Sequence, residues 1–96
     1  MYFSDLPFAC LRKLLLDLGF TEHVVDGNQL TKGFGVQGKK YLAFNHPESD
    51  TSFLFRFYRP QDNVSRADLV NVRSQLAWRG LLSEDAFDAS LKKASA

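Results

Sequence analysis

The first apolar residues of the chain follow a helical period. Four of them are spaced three or four residues apart, so they would share one face of a helix. They are Phe8, Leu11, Leu15 and Leu18. The spacing predicts an amphipathic helix over residues 5–18, with Ser4 or Asp5 as its cap and Gly19 as its left-handed end.

The middle of the chain changes to the alternation of a β-sheet. Strands are predicted at residues 21–29, 40–45 and 51–58, with a loop at 30–38 and a polar turn at 46–50. The last two strands should form an antiparallel hairpin. The third strand would place one set of residues on one face, namely Phe53, Phe55 and Phe57, and the other set on the opposite face, namely Leu54, Arg56 and Tyr58. The three phenylalanines are therefore predicted to lie at the centre of the core.

Two further helices are predicted after the sheet. Ser65 and Asp68 form a variant capping box, in which Asp stands where Glu is usual. The helix that follows would bury Leu69, Val72 and Leu76 and end at Gly80. The last helix would be capped by Ser83 and bury Phe87 and Leu91. The resulting order, α-β-β-β-α-α, predicts an α+β fold, a two-layer sandwich in which helices cover a three-stranded antiparallel sheet.

Composition narrows the class of protein. The 96 residues are predicted to form a single domain over 1–96, and the 45% hydrophobic content is enough to fill its core. Cys10 is the only cysteine, so no intrachain disulfide can form and a reducing, cytoplasmic location is expected. The apolar runs are too short to span a membrane, and the N-terminus lacks the features of a signal peptide.

The net charge of +1 hides an uneven distribution. Residues 1–28 carry two basic and four acidic side chains, whereas residues 29–45 carry three lysines and no acid. Cationic and aromatic side chains in this part of the sheet and its surroundings could contact the phosphates and bases of a nucleic acid. The candidate residues are Lys39, Lys40, Tyr41, Arg56, Tyr58 and Arg59. The alternative is an ordinary solvated face of mixed charge.

Catalytic motifs are sparse. His46, which precedes Pro47 in the polar turn, is the candidate general acid or base, and the alternative is a histidine that only forms hydrogen bonds within its turn. The two histidines and Cys10 do not have the spacing of a metal site, and the glycines at 33–38 lack the spacing of a phosphate-binding loop. No metal ion and no organic cofactor are therefore expected, and the balance favours a protein that is not an enzyme.

Two segments carry a resemblance to a known family. They are Leu16-Asp17-Leu18-Gly19-Phe20 at the end of the first helix and the run from Gly38 to Pro47, GKKYLAFNHP. With the order helix, three strands, helix, they resemble the HicA-type toxins, which are small bacterial ribonucleases with a double-stranded-RNA-binding-like fold and an antitoxin partner. The resemblance covers about residues 6–80 and leaves residues 81–96 as a helical extension.

The resemblance fails at the catalytic position. The family has glycine, a small hydroxyl residue and then the catalytic histidine, whereas Gly38 is followed here by Lys39, Lys40 and Tyr41. His46 matches only a later histidine of the family, which is not catalytic. The resemblance therefore implies an RNA-binding scaffold without the usual hydrolytic residue.

Three functional hypotheses follow. The first is a small HicA-like domain that binds RNA, without the usual ribonuclease activity. The second is a module for interaction with another protein, for example an antitoxin-like one, or for homodimerisation, through an exposed strand edge or the face of the last helix that bears Phe87 and Leu91. The third is a toxin-type mRNA endoribonuclease that uses His46.

Overall fold

The structure is a computed structural model that describes residues 6–26 and 40–95. Its helices and strands are α1 (Phe8–Asp17), β1 (Thr21–Asp26), β2 (Lys40–His46), β3 (Thr51–Arg56), α2 (Arg66–Trp78) and α3 (Glu84–Ser95). The predicted order and the α+β class are confirmed. The predicted loop at 30–38 lies outside the described residues. Within the described ranges, no helix combines the length and apolar character that crossing a bilayer requires.

Helix α1 begins at Phe8, three residues later than predicted. Pro7 is the extended residue before it, and no side chain caps the helix. The first amides bond instead to the loop before α2, where Phe8 N donates to the carbonyl of Asp62 at 2.7 Å and Ala9 N to that of Pro60 at 3.0 Å. This loop therefore satisfies amides that otherwise lack partners at a helix start. The predicted caps Ser4 and Asp5 lie outside the described residues.

The end of α1 is confirmed. Gly19 has a φ of 100°, and the amide of Phe20 donates to the carbonyl of Leu15 at 3.1 Å. This is the closing pattern that a left-handed glycine allows. It turns the chain directly into β1, and Phe20 packs into the core.

The three strands of the described chain form one antiparallel sheet in the order β1-β2-β3. The register places Leu42 opposite Phe55 and Phe44 opposite Phe53. These four side chains are buried, whereas Leu54 and Arg56 on the other side of β3 are exposed. We call the first side the closed face and the second the open face. Phe8 of α1 covers the closed face, with its ring centroid 6.1 Å from that of Phe44 and 5.9 Å from that of Phe55.

Strand β3 ends two residues earlier than predicted, and the prediction for its last two side chains is wrong. Phe57 is not in the core, because half of its surface is exposed. Tyr58 does not share the open face with Arg56, because its ring stacks on Phe8 with centroids 4.9 Å apart. The chain leaves the sheet after Arg56, so the alternation of the strand no longer applies.

Helices α2 and α3 share the same core as the sheet. Leu69, Val72 and Leu76 are buried as predicted, and so are Phe87 and Leu91. The predicted caps are also present: the hydroxyl of Ser65 accepts from the amide of Asp68 at 3.2 Å, and that of Ser83 accepts from Ala86 N at 3.1 Å.

Arg73 joins the two C-terminal helices. Its guanidinium donates to Glu84 at 2.9 Å and to Asp88 at 3.0 Å, and these bonds raise the pKa of Arg73, mainly through Asp88. Helix α3 also packs against α1. The helix face of Phe87 and Leu91 is therefore internal, and the prediction that it binds a partner is wrong.

Candidate functional site

Tyr41 and Arg56 are neighbours at one end of the open face. They are directly opposed in the register of β2 and β3, and residues opposed in this way point to the same side of a sheet. Arg56 is exposed and Tyr41 is half-buried. The predicted combination of a cation with an aromatic ring is therefore present across two strands.

Of the two predicted lysine contacts, Lys40 lies within the described residues and Lys39 does not. Lys40 is exposed at the first position of β2, and its side chain leaves the strand on the side opposite to that of Tyr41. A lysine side chain at the end of a strand is long enough to present its ammonium group beyond the sheet. Lys39 lies outside the described residues.

The hydroxyl of Tyr58 completes the start of helix α2. It accepts a hydrogen bond from the amide of Ser65 at 3.0 Å and donates one to Asp68 Oδ2 at 2.6 Å. A capping box usually has Glu, which reaches back to the cap amide itself. Asp68 is one methylene shorter, and the tyrosine hydroxyl bridges the gap between its carboxylate and that amide.

This position also changes the acidity of Tyr58. Burial raises the pKa of the Tyr58 hydroxyl, and its hydrogen bond to Asp68 raises it further. One side of the ring is stacked on Phe8. Tyr58 therefore contributes to the helix start and the core rather than to the open face, where the sequence predicted it.

Arg59 is held by a carboxylate within its own turn. Its Nε lies 3.2 Å and its Nη2 3.0 Å from Asp62 Oδ1, and its backbone amide donates to Asp62 Oδ2 at 2.8 Å. These hydrogen bonds from Arg59 lower the pKa of the Asp62 carboxyl. The charge of Arg59 is thus largely balanced where it stands, which makes it a weaker phosphate contact than Arg56.

A surface cleft of about 780 Å³ lies beside the Tyr41 and Arg56 pair. Its lining consists of Tyr41, Leu54, Arg56, Phe57, Tyr58, Asp62, Asn63, Ser65 and Asp68. The structure therefore brings three of the predicted contact residues together around one cleft. It adds an exposed aromatic ring, Phe57, and a carboxylate, Asp68, that the sequence reasoning did not assign to the site.

The sequence indicated a different role for each of these two additional residues. Asp68 was identified as a helix cap, but nothing in the sequence showed that the cap would face the end of β3. Phe57 was assigned to the core because the alternation was extended past Arg56. Arg59-Pro60 after it could have suggested an earlier strand end, since proline removes a backbone donor from a sheet.

His46 lies at the other end of β2. It is five positions from Tyr41, which is about 16 Å along a strand, and the odd spacing places the two side chains on opposite faces. His46 Nδ1 is 2.7 Å from Ser49 Oγ in a hydrogen bond, and its ring centroid is 5.1 Å from that of Phe20. The structure thus separates the candidate general base from the candidate binding residues.

The described residues contain no group of three His, Cys, Asp or Glu side chains that could hold a metal ion. A second cleft, of about 760 Å³, lies between α1 and α3. It is lined by mostly apolar side chains, among them Cys10, Leu14, Leu18 and Leu82. Its lining includes Leu91, but none of the residues that the sequence predicted for RNA binding or catalysis.

No family model matches this sequence, and no curated protein or solved structure matches it at a significant level. The resemblance to HicA-type toxins therefore stays a prediction.

Proposed function

We propose that the protein is a non-catalytic RNA-binding domain whose contact surface is the end of the open face. The observation that carries the proposal is the cross-strand pair of Tyr41 and Arg56 beside an accessible cleft. A cation next to an aromatic ring suits a nucleic acid, because the cation attracts phosphates and the ring can stack on a base.

Arg56 and Lys40 are the main phosphate contacts in this proposal, with Lys39 as a further contact from the neighbouring sequence. Arg56 and Lys40 are both exposed, and Arg56 forms no ion pair with any side chain that the structure describes. The other cations of the surface include Arg12, Lys13 and Arg59, each of which already contacts a carboxylate at 3.3 Å or less.

The proposal concerns binding rather than hydrolysis. His46 is about 16 Å away from the cleft along β2, and its ring is engaged by Ser49 and Phe20. A HicA-like scaffold that keeps RNA affinity without the family's catalytic histidine is consistent with this arrangement. Undiminished RNA cleavage by His46→Ala would dispose of the hypothesis that His46 is the catalytic group. RNA cleavage by the unaltered protein that this variant loses would overturn the proposal of a non-catalytic domain.

The test is the affinity for fluorescently labelled RNA, measured by anisotropy at low and moderate salt. Duplex and single-stranded RNA are both titrated. We expect salt-dependent binding, and we expect the double variant Lys40→Ala, Arg56→Ala to weaken it several-fold. The loss of two phosphate contacts should also reduce the slope of log K against log salt by about 1.4 for a single strand.

The matched control is Arg12→Ala, Lys13→Ala, which removes two positive charges from α1. It changes the net charge by the same amount, so it should alter the affinity less than twofold if the contacts are local. Absence of RNA binding at low salt would overturn the proposal, and so would an equal loss in the control.

A second candidate function, interaction with a protein, is favoured by Trp78. This side chain is 75% exposed at the end of α2, and the guanidinium carbon of Arg79 lies 4.7 Å from its ring centroid. Val70, which lies eight residues earlier on the same helix and thus about 12 Å away along its axis, is 45% exposed. Tryptophan and arginine are the residue types that most often dominate protein interfaces.

Light scattering over a wide range of protein concentrations tests self-association through this surface. Concentration-dependent mass that Trp78→Ala abolishes would support a homodimer. A monomer mass at every concentration, for the unaltered protein and for Trp78→Ala, would contradict the homodimer hypothesis.

A further inference from the structure

The cleft beside Arg56 has a composition that phosphate groups alone do not explain. Two carboxylates, Asp62 and Asp68, line it together with the cation. A carboxylate repels a phosphate group at close range, but it accepts hydrogen bonds from the amino and imino groups of nucleobases. The cleft therefore suits a base better than it suits the backbone of the nucleic acid.

The two carboxylates are not equivalent. Asp62 directs both of its oxygens to Arg59. The described side-chain donor to Asp68 is the hydroxyl of Tyr58, which bonds to Oδ2. Because an ionised carboxylate has about four acceptor positions, the half-buried Asp68 retains acceptor capacity on the cleft side.

The same cleft offers flat apolar surface. Phe57 is half-exposed, and Tyr41 and Tyr58 line the cleft with it. Stacking on an aromatic side chain contributes about 1 to 3 kcal/mol for each base in single-strand binding proteins. A base inside a duplex cannot reach such a surface without leaving its stack, whereas an unpaired base can.

We propose that this cleft takes one unpaired nucleobase, guanine in preference to uracil, with its donor edge on Asp68 and the adjoining phosphates on Arg56 and Lys40. Guanine presents two neighbouring donors, N1–H and the N2 amino group, to a carboxylate. Uracil presents one donor between two carbonyl oxygens, which the carboxylate would repel. The inference rests on the proposed RNA binding. It adds that the RNA is single-stranded at this point and that the bound base is guanine.

The experiment compares four short labelled RNAs in anisotropy titrations. They are an all-uridine strand, the same strand with one central guanosine, the same strand with inosine in place of that guanosine, and a duplex. We expect the guanosine strand to bind several-fold more tightly than the uridine strand and the duplex. Inosine, which lacks the N2 amino group but keeps N1–H, should fall between guanosine and uridine.

Asp68→Asn separates base recognition from general affinity. It should weaken binding of the guanosine strand and strengthen binding of the all-uridine strand, because a repulsive charge is removed. A variant that merely misfolded would weaken both. Phe57→Ala provides a second measurement, since an exposed side chain is dispensable for folding; it should weaken both single strands without changing the dependence on salt.

The outcomes distinguish the two levels of the proposal. If no RNA binds, RNA binding itself is wrong. If RNA binds but the duplex is preferred, or guanosine and uridine strands bind equally, the base-binding cleft is wrong while RNA binding stands.

Discussion

On β2 and β3, the closed and open faces of the sheet are built from alternate residues of the same strands, yet they differ in burial and in composition. On β3, Phe53 and Phe55 are at most 5% exposed, whereas their neighbour Leu54 is 38% exposed. The closed face is occupied by aromatic rings that touch one another. The open face carries a mixture of polar, aliphatic, aromatic and charged side chains, of which Ser52, Leu54 and Arg56 on β3 are exposed.

Two polar residues at one end of the closed face, Thr51 and His46, are also engaged within the chain. Thr51 is 4% exposed and accepts a hydrogen bond from the hydroxyl of Ser49 at 2.8 Å. The same serine hydroxyl is bonded to His46, the register partner of Thr51. The contacts of His46 are therefore those of a residue that supports the fold. Arg56 on the open face, in contrast, forms no ion pair with another described residue.

The largest expected effect contrasts Phe53→Ala with Leu54→Ala, since the two residues are adjacent but lie on opposite faces. The Phe53 ring stacks against Phe20 and Phe55 with centroids 5.6 and 6.1 Å apart. Its truncation should lower the free energy of unfolding by about 3 to 5 kcal/mol. Leu54→Ala should cost less than about 1 kcal/mol, because that side chain remains partly in water. Urea denaturation measures both values, and equal costs would contradict the division into two faces.

Much of this division could be predicted from the sequence. The helical spacing in α1 and the alternation in β3 gave the correct elements, because each pattern depends only on neighbours along the chain. The end of β3 could not be located in this way. Alternation does not show where a strand stops, and Tyr58 is drawn to the closed side by Phe8 and Asp68, which are distant in sequence.

The candidate site was predictable only in part. Tyr41 and Arg56 were identified as residue types, and the hairpin implied that their strands would pair. Their direct opposition depends on the register, which in turn depends on the turn at Pro47–Ser49. The balance of Arg59 by Asp62 was not predicted, although a spacing of three residues allows an ion pair within a turn.

Tyr58→Phe tests whether the helix cap and the core are linked through one hydroxyl. The variant keeps the ring on Phe8 but leaves the Ser65 amide and Asp68 without their shared partner. We expect a loss of about 1 to 2 kcal/mol in the free energy of unfolding at neutral pH. An unchanged urea midpoint would contradict the bridging role of the hydroxyl.

The same variant gives a pH signature. The pKa of Tyr58 is raised above its ordinary value of 10.0 in the folded protein, so the protonated hydroxyl stabilises the fold. This contribution is fully present below pH 10.0 and is lost as the pH rises through the folded-state pKa. The difference in stability between the wild type and Tyr58→Phe should therefore shrink above about pH 10, and a growing difference would reverse the sign of the argument.

Ser49→Ala tests the polar part of the closed face. It removes the hydrogen bonds to His46 Nδ1 and to Thr51 Oγ1. Because the turn is only partly buried, the expected loss of unfolding free energy is about 0.5 to 1 kcal/mol. Ser52→Ala, a matched change at an exposed position of the open face, should leave the urea midpoint almost unchanged. Equal losses in the two variants would show that the hydrogen bonds of Ser49 add no stability.

Arg56→Ala should have the smallest effect on stability, although it should have a clear effect on RNA binding. The side chain is exposed on the open face and forms no ion pair with another described residue. Its truncation should change the free energy of unfolding by less than about 0.5 kcal/mol. The pair of measurements is informative because Ser49→Ala should show the opposite pattern, a loss of stability with unchanged affinity for RNA. If Arg56→Ala instead destabilised the fold as much as Ser49→Ala, Arg56 would contribute to the stability of the fold. The open face would then lose its main candidate for a phosphate contact.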